Sequence, residues 1–221
     1  MKTVLLLLIT VFSGVVMATQ STEPLPQHLQ EEVSVDIKER TLYPIIKPGD
    51  WVGVKHGAVY STLVGTKESP EVVIGFGYET TDNFIFLTHQ ESKKIDLNVA
   101  VATAFSNIDA MDVTFIAAEA LDNQVLTASG QSFSSEAILS KKQMLKAHKM
   151  LKAEKLLVSI ARRTGLMVIS KEASEELLNM FVYLHHDAWS DDSYGNAPIA
   201  NMLFVMEEGE IVGTIPLSTS E

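Results

Sequence analysis

The sequence predicts an α+β fold in which antiparallel hairpins build an antiparallel or mixed sheet, with about three amphipathic helices between them. Short segments that alternate bulky with small or polar side chains come in pairs around turn-forming residues, the pattern of hairpins. Three other segments carry apolar residues at helical spacing, around Ile95 to Phe105, Ile138 to Leu151 and Leu177 to Leu184. Strands precede helices in pairs and do not alternate with them singly, which speaks against a doubly wound parallel sheet.

Residues 1–18 read as a targeting segment. Lys2 supplies a positive start, Val4 to Phe12 an apolar run, and Val16-Met17-Ala18 a cleavage context, so the mature chain is expected to begin at Thr19. The apolar stretch is short for a bilayer span, although an uncleaved anchor is the alternative. Residues 19–40, with Pro24 and Pro26 among Gln and Glu, read as a flexible segment, and residues 41–221 as a single domain. No later stretch is apolar enough to cross a membrane, so a soluble periplasmic or secreted protein is expected.

Leu42 to Ile46 is a short strand ended by the turn Pro48-Gly49-Asp50, and Trp51 to Val54 resumes as a second strand. Lys55 to Pro70 reads as loop. In Glu71 to Tyr78 the side chains Val72, Ile74, Phe76 and Tyr78 share one face, while Gly75 and Gly77 thin the other. Phe84 to Thr88 is its return strand. The bare glycine face admits a close neighbour, and a packed helix is expected there rather than a ligand.

Asp96 caps a modest helix carrying Ile95, Val99, Ala102 and Phe105. Asp112 to Ala118 and Gln124 to Ala128 form a hairpin around Leu121-Asp122-Asn123. A long Lys-rich helix follows from about Ser134 to Lys155. Leu156 to Ala161 and Leu166 to Ile169 are apolar on both faces, which predicts central strands, joined by Arg162-Arg163-Thr164-Gly165. A helix then runs from Ser170, with Glu172, Glu175 and Glu176 near its positive end, to a close at His185 and His186. The last hairpin pairs Met202 to Met206 with Ile211 to Ile215.

The strings Thr41-Leu42-Tyr43-Pro44-Ile45-Ile46-Lys47 and Gly195-Asn196-Ala197-Pro198-Ile199, the elements from Leu126 to Ile169, and Glu208-Gly209-Glu210 at a hairpin turn together resemble the YtpQ-like family of uncharacterised bacterial proteins. The likeness runs from Tyr43 to Ile215. It implies an α+β architecture and no activity or site residues. The export signal departs from the family, whose members resemble cytoplasmic proteins.

Composition bounds the function. The chain of 221 residues is 46% hydrophobic and 20% charged, enough apolar area for a real core. A net charge of −11 excludes general nucleic-acid binding, which needs a basic surface. Without a single cysteine there is no disulfide, thiolate ligand or Cys nucleophile.

Against that acidity, eight of the 17 basic residues fall between positions 141 and 163: Lys141, Lys142, Lys146, Lys149, Lys152, Lys155, Arg162 and Arg163. Glu154 is the lone acid among them, so pairing within the helix does not account for the excess. The segment is the predicted contact for an anionic protein or envelope component. A solvated helix face, or attraction to the chain's own Glu207 to Glu210, are the plain alternatives. A second constellation, His185, His186 and Asp187 with Asp191, Asp192 and distant His89, has the donor types of a Zn²⁺ site, although adjacent helical histidines point about 100° apart.

No G-x-S-x-G elbow, P-loop or H-E-x-x-H occurs, and Gly75-Phe76-Gly77 lacks the rest of a dinucleotide fingerprint. A serine hydrolase without its elbow has no support in the sequence. The expected function is therefore a non-catalytic binding or interaction module with no cofactor, the alternative being a metal-dependent hydrolase on the His/Asp cluster.

Overall fold

The computed structural model describes residues 40–79, 84–129, 132–163, 165–193, 195 and 197–218, all within one compact unit. The targeting segment and the flexible segment up to residue 39 lie outside the described residues. Arg40, the expected end of that segment, is docked: its guanidinium lies 4.2 Å over the Tyr78 ring and 3.8 Å from Glu91.

The described strands are β1 (Tyr43–Pro48), β2 (Tyr60–Gly65), β3 (Pro70–Glu79), β4 (Phe84–Phe86), β5 (Ile116–Ala117), β6 (Val125–Ser129), β7 (Lys155–Ser159), β8 (Gly165–Ser170), β9 (Met202–Glu207) and β10 (Glu210–Pro216). The helices are single-turn α1 (Val52–Lys55) and α2 (His89–Ser92), then α3 (Leu97–Ala110), α4 (Lys141–Leu151) and α5 (Glu175–Ser190). The fold is α+β, with two antiparallel sheets. One centres on β3, which pairs with β1 along one edge and with β2 and β4 end to end along the other. The six-stranded sheet has the order β10-β9-β7-β8-β6-β5 and places β7 and β8 centrally, as their two-faced apolarity predicts.

Side-chain alternation makes the large sheet a middle layer. One face (Leu126, Leu156, Val158, Val168, Phe204) packs on Met144 and Ala147 of α4 and on Ile46 and Val72 of the β3 sheet. The other (Val125, Leu157, Ile169, Leu203) packs on Phe181 of α5, with Leu177, Leu178 and Val182 beside it. Each such side chain contributes about 2 kcal/mol by leaving water. The helix α3 covers Ile74, Phe76 and Tyr78 on the bulky face of β3, with Phe105 edge-on to Phe76 at 6.0 Å.

Caps fix the helix bounds. Asp96 Oδ1 accepts from the Asn98 and Val99 amides at 3.1 and 3.2 Å, as predicted. The Lys-rich helix is shorter than expected. Ser135–Leu139 is a 3-10 turn, extended Ser140 breaks it, and the Ser140 hydroxyl accepts from the Gln143 amide at 3.2 Å to start α4. Lys152, at φ 50°, ends α4 in the left-handed region. The start of α5 is likewise later, because Ser170 accepts from the Glu172 amide locally and Ser174 is the true cap. Glu208 and Gly209, at φ 50° and 77°, give the β9–β10 hairpin its two positive-φ turn residues, and the Gly209 amide donates to His148 Nε2 at 3.2 Å, tying the hairpin to α4.

Four further expectations are corrected. Trp51 to Val54 is not a strand, because the chain turns through α1 and folds the Trp51 indole back over Gly53. The expected loop contains β2, whose alternation is hidden by register shifts on either side of Val64. Of Asp112 to Ala118 only Ile116 and Ala117 join the ladder, while Val113 and Phe115 are buried outside it. The glycine face of β3 is covered by aromatic rings, not by a helix. A Cβ on Gly75 would stand 3.0 Å from Phe86 and 3.1 Å from Trp51, and one on Gly77 would stand 2.5 Å from Phe84. Among the described residues no helix is long and apolar enough to cross a membrane.

Candidate functional site

The glycine-face rings form a continuous platform. Trp51 lies 4.3 Å from Phe86, Phe86 lies 5.0 Å from Phe84, and Phe84 meets Phe133 at 6.3 Å. Two cations rest on it. Lys47 Nζ sits 5.6 Å from the Phe86 centroid and the Arg163 guanidinium 5.6 Å from that of Phe84, an arrangement in which ring quadrupoles favour positive charge. Lys47 is presented by β1, whose partner residue is Val73; Arg163 comes from the β7–β8 turn, and its Nη2 donates to the Ser132 carbonyl at 3.4 Å.

Lys47 and Arg163 line a cavity of about 280 Å³ with Asp50, Trp51, Val52 and Ile199. Burial lowers the Lys47 pKa, repulsion from Arg163 lowers it further, and Glu136 opposes both. Among the described residues Lys47 makes no ion pair. Glu136 is wholly inaccessible, accepting from the Ile46 amide at 3.1 Å and the Ser135 hydroxyl at 2.8 Å. Burial raises its pKa, against those two hydrogen bonds and the charge of Arg163, and so favours its neutral form. Like charges thus share a cavity wall while the carboxyl behind them is driven towards neutrality.

The predicted helix patch is largely engaged within the molecule. Lys141 pairs with Glu210 at 2.7 Å, Lys146 with Asp112 at 2.6 Å and Lys155 with Glu207 at 3.6 Å, and Lys142 donates to the Asp109 carbonyl at 3.1 Å. The chain's own acids therefore meet much of the excess. Lys149 and Lys152 remain exposed. Arg162, only 6% exposed at its side chain, donates to the Ala188 and Trp189 carbonyls at 2.7 and 2.9 Å, stapling the negative end of α5.

The His/Asp set does not converge. Because α5 continues to Ser190, His185 and His186 lie on different sides of an intact helix. His185 is fully buried, with Nδ1 2.8 Å from the Ser159 hydroxyl, and His186 lies beside Trp189 at 6.3 Å. Asp187 is on the exposed side of α5, Asp191 accepts from the Ser193 amide at 2.9 Å, Asp192 lies 3.8 Å from Arg162, and His89 opens α2. Among the described residues no three His, Asp or Glu side chains could hold a metal ion. The metal-centre expectation is corrected on that geometry.

No family model, curated protein or solved structure matches the chain. Sequence reasoning reached Arg163 but missed Lys47, Trp51, Phe84, Phe86 and Glu136. The signal that could have found them was the bare Gly75/Gly77 face, with three aromatics just beyond the flanking turns.

Proposed function

We propose that the protein is a binding module for a small oxyanion-bearing ligand, phosphate or carboxylate in class, held between Lys47 and Arg163. The supporting observation is a desolvated lysine that makes no ion pair among the described residues, lines one cavity with a second cation and is backed by a carboxyl whose burial favours its neutral form. Bound negative charge would relieve the repulsion and recover the lysine's lost solvation. This keeps an anionic partner and Arg163 of the expected basic segment, but puts Lys47 of β1 in place of the helix lysines. We also propose that the protein acts outside the cytoplasm, on the strength of Lys2, the apolar run and Ala18, and that it is kin to the YtpQ-like family, on the strings quoted above.

The test is thermal unfolding with inorganic phosphate and with succinate, against chloride at equal ionic strength. Either anion is expected to stabilise the wild type and not Lys47→Met, while reversal of Lys142, Lys146 and Lys149 to Glu leaves the effect in place. Equal stabilisation of Lys47→Met, or loss of the effect only in the triple reversal, returns the contact to the exposed helix cations Lys149 and Lys152.

A further inference from the structure

A second cavity, of about 390 Å³, lies on the α5 face of the large sheet, where the helix's last turn leaves the strands uncovered. Its floor is a row across three adjacent strands. Ser159 of β7 and Thr127 of β6 both pair with Met167 of β8, and all three side chains line it. Ala188 of α5 and the Arg162–Arg163 turn form the walls, and among the described residues no acid lines it.

The strand alternation that puts Leu157 against Phe181 gives the next position on that face to Ser159, whose hydroxyl meets His185 Nδ1 at 2.8 Å. Both residues are buried, next to the apolar Val125, Leu157, Ile169, Leu203 and Phe181. A buried Ser–His pair is a costly substitute for two aliphatic side chains, and departures of that kind concentrate at functional sites. With the ring N–H on Nε2, the Nδ1 lone pair faces the Ser159 hydroxyl and can receive its proton. Among the described residues His185 Nε2 has no hydrogen-bond partner.

We propose that Ser159 is an acyl-accepting nucleophile with His185 as its general base, acting on small esters seated in this cavity. Ser159 Oγ bonds to the ester carbonyl carbon as its proton passes to Nδ1. The tetrahedral adduct collapses with cleavage of the carbon–oxygen bond to the leaving alcohol, which departs with that proton, and water repeats the sequence to release the acid. Arg162 and Arg163 supply positive potential where the oxyanion develops. The inference is independent of the Lys47 site, since it uses neither Lys47 nor the platform rings.

Burial holds the His185 pKa down to about 4, with His186 adding to the effect, so the imidazole stays a free base well below neutral pH. The charged and titratable groups around it are His186 on its own helix and Arg162 from the facing turn, and Arg162 keeps its charge throughout. The test is covalent labelling of the intact protein with p-nitrophenyl acetate and a fluorophosphonate, with mass spectrometry to locate the adduct. An adduct on Ser159 is expected, absent in Ser159→Ala and at least about tenfold slower in His185→Asn. Its rate should hold through pH 6.5 and fall only towards about 4. No wild-type adduct on Ser159, or a rate that halves near 6.5, overturns the proposal, and neither readout needs a variant to fold.

Discussion

The buried imidazole should make the protein acid-sensitive by an amount that can be worked out in advance. His185 has a native pKa of about 4, against 6.5 for an ordinary histidine, with burial the main cause. Above 6.5 the group is neutral in both states and its contribution to stability is intact. As pH falls below 6.5 the unfolded chain binds a proton that the native state refuses, so stability is lost progressively until about pH 4, where the native histidine also protonates. At about 1.4 kcal/mol per pH unit, the loss between neutral pH and pH 4 is about 3 kcal/mol, a large part of a typical domain's stability. Carboxylates titrate in the same window, so the comparison is with His185→Asn, whose amide can still meet Ser159 but does not titrate. Urea unfolding of both proteins from pH 7.5 to 4 should give wild-type stability falling by about 3 kcal/mol more than the variant's. Parallel curves would refute the assignment of a neutral, desolvated His185.

Other expectations follow from the platform and its buried carboxyl. Gly77→Ala should destabilise by about 2–4 kcal/mol in denaturant unfolding, because its Cβ collides with Phe84 and the Ile85 carbonyl within a paired strand. Gly75→Ala, which meets only ring edges at 3.0 and 3.1 Å, should be milder. Glu136 has the opposite pH sign to His185. Its native pKa is raised, so stability falls as pH climbs from 4.5 towards the native value, and Glu136→Gln should flatten that fall while keeping an acceptor for the Ile46 amide. Glu136→Ala should cost about 1–3 kcal/mol by leaving that amide unpaired.

Much of the fold was legible because its signals are local. The two-faced apolarity of Leu156 to Ala161 and Leu166 to Ile169 placed β7 and β8 at the sheet centre, and Asp96 announced α3. The failures share a cause, which is that contacts distant in sequence overrode local pattern. Trp51 looks like a strand residue and is instead folded over Gly53 to reach Phe86. Ser140 lies inside an apparently continuous helical pattern, yet its hydroxyl is claimed by Asp109 as well as by the Gln143 amide, and the helix restarts there. At the candidate site the sequence showed a cationic segment and offered Glu207 to Glu210 as its counterweight, which the Lys141–Glu210 and Lys155–Glu207 pairs bear out, but not Asp112, which tertiary structure brings to Lys146. Lys47 carries no mark of its own in the sequence. What distinguishes it is burial and the approach of Arg163, more than a hundred positions later in the chain.

An anion site beside Lys47 can be observed directly through the titration of the Lys47 side chain, followed by NMR at its Cε with and without inorganic phosphate. The lysine is expected to titrate below its ordinary 10.5 in the free protein and to move upward when phosphate is added. An ordinary value that phosphate leaves unchanged would contradict an anion site at this position.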